Sequence, residues 1–190
     1  MGTRVGLTAD RITRAAAALA DEVGFEGVTI SALARGFGVK DASLYSHVEN
    51  LQDIRTRVAL LAAEEMSASI ATAIAGRSAE EALTAFADAY REFALRYPGR
   101  YAATQMRMDL EKIADAKGFV RNIELTYAVL RAYKLDEPDL TDAVRLMRST
   151  FHGFITIESV GGFGHPREID VSWRKAVAAL HVVLQQWSRI

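Results

Sequence analysis

The chain has 190 residues, half of them apolar, which is enough to bury a core in one domain or in two small ones. It contains no cysteine, which excludes disulfides and thiol chemistry and is typical of a reducing cytoplasm. No apolar run reaches the roughly 18 residues of a membrane span, and residues 1–7 lack the apolar segment of a signal peptide. We therefore expect a cytoplasmic protein with no membrane partner.

Apolar residues recur at helical spacing along almost the whole chain, and no alternating pattern of useful length indicates a strand. Alanine is abundant, and all three prolines lie after residue 97. The sequence therefore predicts an all-α protein with about nine helices. We expect the last helix to have Asp170 as its N-cap, and we place the nine at about 8–23, 30–36, 40–46, 50–75, 78–97, 98–106, 109–134, 138–160 and 170–189.

The segment from residue 24 to residue 53 carries the most specific local signals. Thr29 can cap a short second helix, as Thr8 can cap the first, and Gly36-Phe37-Gly38 can form the turn that follows. Asn50 can cap the long helix that begins after the segment. Two short helices joined by a glycine-containing turn are typical of a helix-turn-helix, whose second helix lies in a DNA major groove.

Bulk charge gives this part of the chain little attraction for DNA. The whole chain has a formal net charge of −1, and residues 1–60 contain seven Lys or Arg and seven Asp or Glu residues. DNA affinity must therefore depend on where the charges lie rather than on their sum. We expect one copy to bind DNA weakly and a dimer to be needed.

A set of residues follows a particular order near the start of the chain: Ile12, Ala15-Ala16, Leu19, Gly24-Phe25, Gly27-Val28-Thr29, Leu33-Ala34, Gly38-Val39, Leu44-Tyr45, His47 and Asn50. This order resembles the DNA-binding domain of the tetracycline-repressor (TetR) family. The chain departs from the family at three positions. Ser31 stands where many members have Arg, Lys40 replaces a small hydroxyl residue, and Leu51 replaces a Lys that many members direct at a phosphate.

The resemblance implies that the third helix reads DNA, with contacts from six residues: Thr29, Lys40, Ala42, Ser43, Tyr45 and His47. Tyr45 would touch a phosphate or a thymine methyl, unless it packs against the first helix. Lys40 would bind a phosphate or a base, unless it is simply solvated. His47 would donate to a phosphate, unless it only caps the third helix. Thr29 would present its backbone N–H to a phosphate, and the small Ala42 and Ser43 would let the helix approach the bases.

A second group of residues lies in the C-terminal part: Phe93-Ala94, Tyr97-Pro98-Gly99, Tyr101, Phe151-His152-Gly153-Phe154, Glu158 and Gly161-Gly162-Phe163. They resemble the Trp-His-Gly (WHG) type of regulatory domain found in many TetR-like proteins, with Phe151 in place of the Trp. The resemblance implies a helix-turn-helix domain in residues 1–53 and an inducer-binding and dimerisation domain in residues 54–190. It also implies a homodimer through the helices at about 138–160 and 170–189.

Candidate ligand-binding residues carry aromatic, thioether or imidazole side chains: Phe86, Tyr90, Phe93, Met106, Tyr127 and His152. Apolar pockets between helices are where small ligands bind, and such a lining would suit an apolar or aromatic compound. The same residues at helical spacing can equally form plain core, and His152 can be a core or interface histidine. We expect Glu158 to pair with another helix, because a carboxylate on an apolar helix needs a partner.

The sequence indicates no catalytic, metal or cofactor site. The four histidines, at 47, 152, 165 and 181, lack metal-ligand spacing. The glycines within 161–164 follow a helix, whereas a dinucleotide fingerprint needs a preceding strand. No specific arrangement for a nucleophile is found, so we expect neither an enzyme nor a cofactor.

These features together predict a bacterial, ligand-responsive transcription regulator that represses from a palindromic DNA operator until a small-molecule inducer releases it. A second hypothesis is a helical small-molecule-binding protein or enzyme whose helix-turn-helix is vestigial, which the neutral charge balance and Leu51 favour. A third is a DNA-binding structural protein or activator that needs no ligand.

Overall fold

The structure, a computed structural model, describes residues 6–107 and 116–189. Eight α-helices and no β-strand occur in these ranges, which confirms the all-α class. None of these helices is both long and apolar enough to cross a membrane. The helices are α1 (Ala9–Val23), α2 (Ile30–Phe37), α3 (Leu51–Ile74), α4 (Ala79–Arg96), α5 (Pro98–Thr104), α6 (Lys117–Leu130), α7 (Asp139–Ser159) and α8 (Ile169–Gln185).

The first three helix starts are confirmed by their caps. The Oγ1 atoms of Thr8 and Thr29 accept hydrogen bonds from backbone N–H groups three residues on, each at 3.2 Å. Asn50 Oδ1 accepts from the N–H of Asp53 at 2.9 Å, and Asp53 Oδ2 accepts from the N–H of Glu49 at 3.0 Å. Each cap satisfies a backbone donor that the first turn of a helix leaves without a partner.

Two sequence-based boundaries differ from the structure. The third helix, predicted at about 40–46, is instead a 3₁₀ turn at Asp41–Ser43 followed by hydrogen-bonded turns. This segment is short and rich in Ser and Asp, whose side chains compete with helical backbone bonding. Asp170 does not cap α8, because the helix begins one residue earlier and the Asp170 carboxylate pairs with Arg91. The start of the helix predicted at 109–134 lies partly outside the described residues.

The chain folds into two compact units. The first lies within Met1–Glu65 and Tyr97–Val120, and the second within Met66–Arg96 and Arg121–Ile190. Helices α3 and α6 each contribute residues to both units. The predicted domains, residues 1–53 for DNA binding and 54–190 for ligand binding and dimerisation, are functional domains. Their division at residue 53 stays a prediction.

The first unit has α5 packed against α1 at very short distance. A Cβ atom added to Gly99 would lie 2.0 Å from the backbone oxygen of Ala20, so only glycine allows this approach. The next residue, Arg100, donates through its backbone N–H to Asp21 Oδ1 at 2.9 Å. Its guanidinium also lies 3.1 Å from Asp21 and 3.0 Å from Glu65. The end of α1 and the start of α5 are therefore joined by both backbone packing and ion pairs.

The second unit is built around an aromatic cluster. The ring of Phe151 lies 6.2 Å from Phe86, 5.8 Å from Tyr90 and 5.6 Å from Trp173, between ring centroids. All four residues are buried. Trp173 Nε1 donates to Asp88 Oδ1 at 2.7 Å, which satisfies the only polar atom of that indole. The cluster thus links α4, α7 and α8.

An ion pair fixes the same three helices. Arg91 Nε donates to Glu158 Oε2 at 2.8 Å, and Arg91 Nη2 lies 2.8 Å from Asp170. The hydrogen bonds that Arg91 donates to Glu158 raise the pKa of Arg91 above its ordinary value, against the lowering effect of burial. This contact confirms the prediction that Glu158 pairs with another helix.

We expect Gly99→Ala to lower the free energy of unfolding, because the added Cβ would collide with the backbone of Ala20 and neither backbone can move independently. Overpacking of this kind costs about 1–3 kcal/mol. Urea denaturation followed by helical circular dichroism measures it. Gly36→Ala is the matched control: Gly36 lies in α2 with nothing within 4 Å of an added Cβ, so this change should raise stability by about 0.5–1 kcal/mol. Equal stability of Gly99→Ala and wild type would contradict the packing argument.

Candidate nucleic-acid interface

Four buried apolar side chains set the orientation of residues 40–48, the candidate DNA-reading segment. Leu33 and Ala34 of α2 are buried, and so are Leu44 and Val48 in the segment that follows. All four belong to one core cluster with residues of α1 and α3. The residues between these two, 45–47, are exposed.

A left-handed turn connects α2 to this segment. Gly38 has φ +67°, a backbone conformation that residues with a Cβ rarely adopt. The Gly38 N–H donates to the carbonyl of Arg35, and the Val39 N–H donates to that of Ala34, both at 3.0 Å. The paired bonds close the end of α2 and turn the chain abruptly. The glycine-containing turn predicted from the sequence is therefore present.

Five of the six predicted DNA-binding residues are exposed, and they lie on the segment or at the start of α2. Tyr45 has 54% of its surface exposed, so its ring is not packed into the core. The five exposed residues are Thr29, Lys40, Ala42, Tyr45 and His47. The sixth, Ser43, is half-buried. This arrangement leaves an amino group, a phenol and an imidazole accessible to a partner. All three can contact phosphate oxygens or base edges.

The structure gives Ser31 a role that the sequence did not reveal. Its hydroxyl donates to Asp41 Oδ2 at 2.6 Å. The bond joins the first turn of α2 to the 3₁₀ turn of the reading segment. It also fixes the position of the Asp41 carboxylate, which keeps its negative charge on this exposed surface.

Cations near the start of α3 are already engaged within the protein. Arg55 lies 2.8 Å from Glu26, and Arg57 lies 2.8 Å from Asp53. Leu51, where many family members have Lys, is partly buried and packs against the core cluster. The start of α3 therefore offers little positive charge for DNA, and Leu51 contributes to packing.

Arg35 is a candidate that sequence reasoning missed. It lies in the last turn of α2, directly before the turn at Gly38, and it is exposed. Like Lys40, it makes no ion pair within residues 6–107 and 116–189. In the sequence, the signal for this residue was a cation directly before the glycine-containing turn. Arg35 and Lys40 therefore provide positive charge that internal partners do not neutralise.

The predicted ligand-binding residues lie in different surroundings. Phe86, Tyr90 and Phe93 are buried in the second unit, the first two within the aromatic cluster. Tyr127 on α6 has 39% of its surface exposed, and His152 on α7 is half-buried. Met106 belongs to the first unit, where it packs against the core cluster and its sulfur lies 3.7 Å from Gln52 Nε2. Met106 therefore has no part in the core of the second unit.

A short α2, a glycine turn and an exposed polar segment on one core define a helix-turn-helix transcription regulator. Comparison with known proteins identifies the family. The family model "Bacterial regulatory proteins, tetR family" matches residues 12–50, and "Tetracyclin repressor-like, C-terminal domain" matches residues 83–180. An HTH-type transcriptional regulator of Mycobacterium tuberculosis is 34% identical over 159 residues, covering 82% of this chain and 72% of that protein. The chain belongs to the TetR family.

Solved structures share the fold over nearly the full length. ActR of Streptomyces coelicolor, in complex with (S)-DNPA, has a TM-score of 0.68 at 17% identity, covering 95% of this chain and 98% of that one. BioQ, solved with its double-stranded DNA operator, has a TM-score of 0.62 at 20% identity, covering 93% of this chain and 99% of that one. At these identities the likeness concerns the fold.

We expect Lys40→Ala to weaken binding to a specific DNA site and to flatten its salt dependence. Each lost phosphate contact lowers the slope of log affinity against log salt by about 0.9, so a dimer loses about twice that. Fluorescence anisotropy at several salt concentrations measures both quantities. Arg121→Ala, which removes an exposed cation from α6, is the control and should change neither. Unchanged affinity and slope for Lys40→Ala would show that Lys40 is only solvated, and an unchanged slope alone would exclude a phosphate contact.

Proposed function

We propose that this protein is a cytoplasmic repressor that binds a palindromic DNA operator as a homodimer and leaves it when a small-molecule inducer binds. The observation that carries the proposal is the exposed segment from Lys40 to His47, held on a buried core in a chain of the TetR family. BioQ, which shares the fold, is known in complex with its operator. ActR, which also shares it, is known in complex with a small molecule.

The DNA contacts follow from the chemistry of the exposed groups. Lys40, His47 and Arg35 would bind phosphates, and the backbone N–H of Thr29 would bind another at the start of α2. Tyr45 would reach a phosphate or a thymine methyl. Ser43 and Ala42 are small enough to let the segment approach base edges. Phosphate contacts position such a segment, and the base-edge contacts supply the sequence preference.

A homodimer is supported by exposed apolar side chains on α7 and α8. Ile157 and Val182 have 43% and 48% of their surface exposed, and Val160, directly after α7, has 77%. Burying them against a second copy would remove apolar surface from water. A two-fold dimer would place two reading segments about 34–36 Å apart, one DNA turn. Two weakly charged segments together would reach an affinity that one cannot.

The inducer would bind in the C-terminal part of the chain. An apolar or aromatic compound would contact some of Phe86, Tyr90, Phe93, Tyr127 and His152; Met106, placed in the first unit, is the weakest of the six candidates. Helix α3 contributes residues to both units and begins shortly after the reading segment. A displacement of α3 by a ligand in the second unit would therefore reach that segment. Release requires that the ligand bind the DNA-incompetent state more tightly than the competent one.

The proposal is tested with DNA from the intergenic region next to the gene. The purified protein should shift this DNA in an electrophoretic assay and protect a palindrome in a footprint. Expression from the neighbouring promoter should rise when the gene is deleted. Lower expression in the deletion strain would indicate an activator. No specific footprint would favour a helical binding protein or enzyme with a vestigial helix-turn-helix.

We expect Val182→Glu to convert the dimer into a monomer, because a charged carboxylate cannot be buried in an apolar interface without a partner. A specific interface should bury more than about 1,000 Å². Light scattering at micromolar concentration should give twice the 20.8 kDa chain mass for wild type and one chain mass for the variant. Leu95→Glu, at a residue 41% exposed at the end of α4, is the control and should remain dimeric. A monomeric wild type would refute the proposed dimer.

A further inference from the structure

A cleft of about 480 Å³ opens in the second unit between the end of α3, the start of α4 and the end of α6. This volume is within the range of about 300–1,000 Å³ that is usual for small-molecule sites. Its wall is apolar and includes Ile74, Ala82, Ala128 and Val129. The alanines leave the space that larger side chains would fill. The cleft is therefore suited to an aliphatic or flat apolar group.

Both charged residues that line the cleft are arginines, Arg77 and Arg131. Each is exposed, and neither makes an ion pair within the described ranges. Arg77 donates one hydrogen bond, from Nη1 to the carbonyl oxygen of Ala73. Ser78 adds a hydroxyl to the lining. Two cations at an apolar cleft match an anionic group that carries an apolar tail.

The acidic residues near this site belong to other surfaces. Glu80 and Glu81, in the first turn of α4, line a neighbouring open groove instead of the cleft, and Arg77 lines both. The carboxylate of Glu80 lies 3.6 Å from Nε2 of His181. The lining of the cleft therefore keeps two positive charges and no carboxylate.

The backbone at the cleft is in an uncommon conformation. Ala79, which lines the cleft and begins α4, has φ +47°. Residues with a Cβ rarely adopt positive φ, and such residues cluster at functional sites. The loop between α3 and α4 is therefore held in a shape that local preference does not explain.

We propose that this cleft binds an amphiphilic organic anion, with its headgroup between the guanidinium groups of Arg77 and Arg131 and its tail against the alanines. The cleft is a second candidate site in the second unit, apart from the residues proposed above to contact the inducer, and only its regulatory consequence rests on the proposed function. A neutral compound would provide no negative charge for either guanidinium group. The buried rings of Phe86 and Tyr90 pack against Phe151 and contribute no surface to this cleft.

Isothermal titration of the full chain with octanoate, in the absence of DNA, tests the site. Octanoate should bind, whereas octanol and octylammonium, which share the tail, should bind at least tenfold more weakly. Octyl phosphate distinguishes a carboxylate site from a general anion site, and tighter binding of either anion supports the proposal. Equal binding of octanoate and octanol would overturn it.

Three variants locate the binding. Arg77→Gln and Arg131→Gln should each weaken octanoate binding at least fivefold, and the double variant should abolish it. Ala128→Phe should weaken it by filling the cleft from the apolar side. Arg174→Gln, at an exposed residue of α8 outside the cleft, is the matched control and should bind octanoate as wild type does. Unchanged binding by the double variant would overturn the proposal.

The operator assay separates this inference from the proposed function. If the protein shifts the intergenic DNA but octanoate binding does not depend on the arginines, the site is wrong and the regulator remains. If octanoate binding depends on the arginines but no DNA is bound, the site stands and the regulator fails. If both hold, octanoate should release the DNA from wild type and not from the double variant.

Discussion

The burial of Leu44 and Val48 is the contact on which the proposed DNA-reading surface depends. Both side chains are within the core cluster of the first unit, together with Leu33 of α2 and Ile54 of α3. Their spacing of four residues places them on one side of the turn, so that Lys40, Tyr45 and His47 lie outside the core. Loss of either anchor would free the segment to rotate, and its polar groups would then have no fixed direction. Apolar packing therefore orients this surface, and backbone hydrogen bonds within residues 40–48 complete its turns.

Several cations of the first unit are paired with carboxylates of the same unit. Arg14, Arg55, Arg57 and Arg100 each pair with a carboxylate of the same unit, whereas Arg35 and Lys40 do not. Ser31 holds Asp41 through a hydrogen bond next to Lys40. Because surface charges act on DNA through the phosphates, the positions of these few groups matter more than the formal net charge. This arrangement favours affinity that depends on two copies acting together.

The second unit combines a closed core with an open, charged cleft. Phe86, Tyr90, Phe151 and Trp173 fill the space between α4, α7 and α8, and Arg91 fixes the same helices through Glu158. A packed aromatic cluster of this kind stabilises the unit. The alanine-lined cleft at Arg77 and Arg131 provides both space and charge.

The sequence by itself determined the helical class, the caps at Thr8, Thr29 and Asn50, the turn at Gly38 and the family, because these depend on periodicity, local hydrogen bonding and residue order. Tertiary structure decided what depends on contacts between distant segments. It made residues 41–43 a 3₁₀ turn next to the buried Leu44, and it placed Ser31 against Asp41. It also paired Asp170 with Arg91 instead of using Asp170 as a helix cap. It also placed Arg77 and Arg131, 54 residues apart in the chain, at one cleft. Local patterns in a sequence do not encode such contacts, since each depends on how whole helices pack.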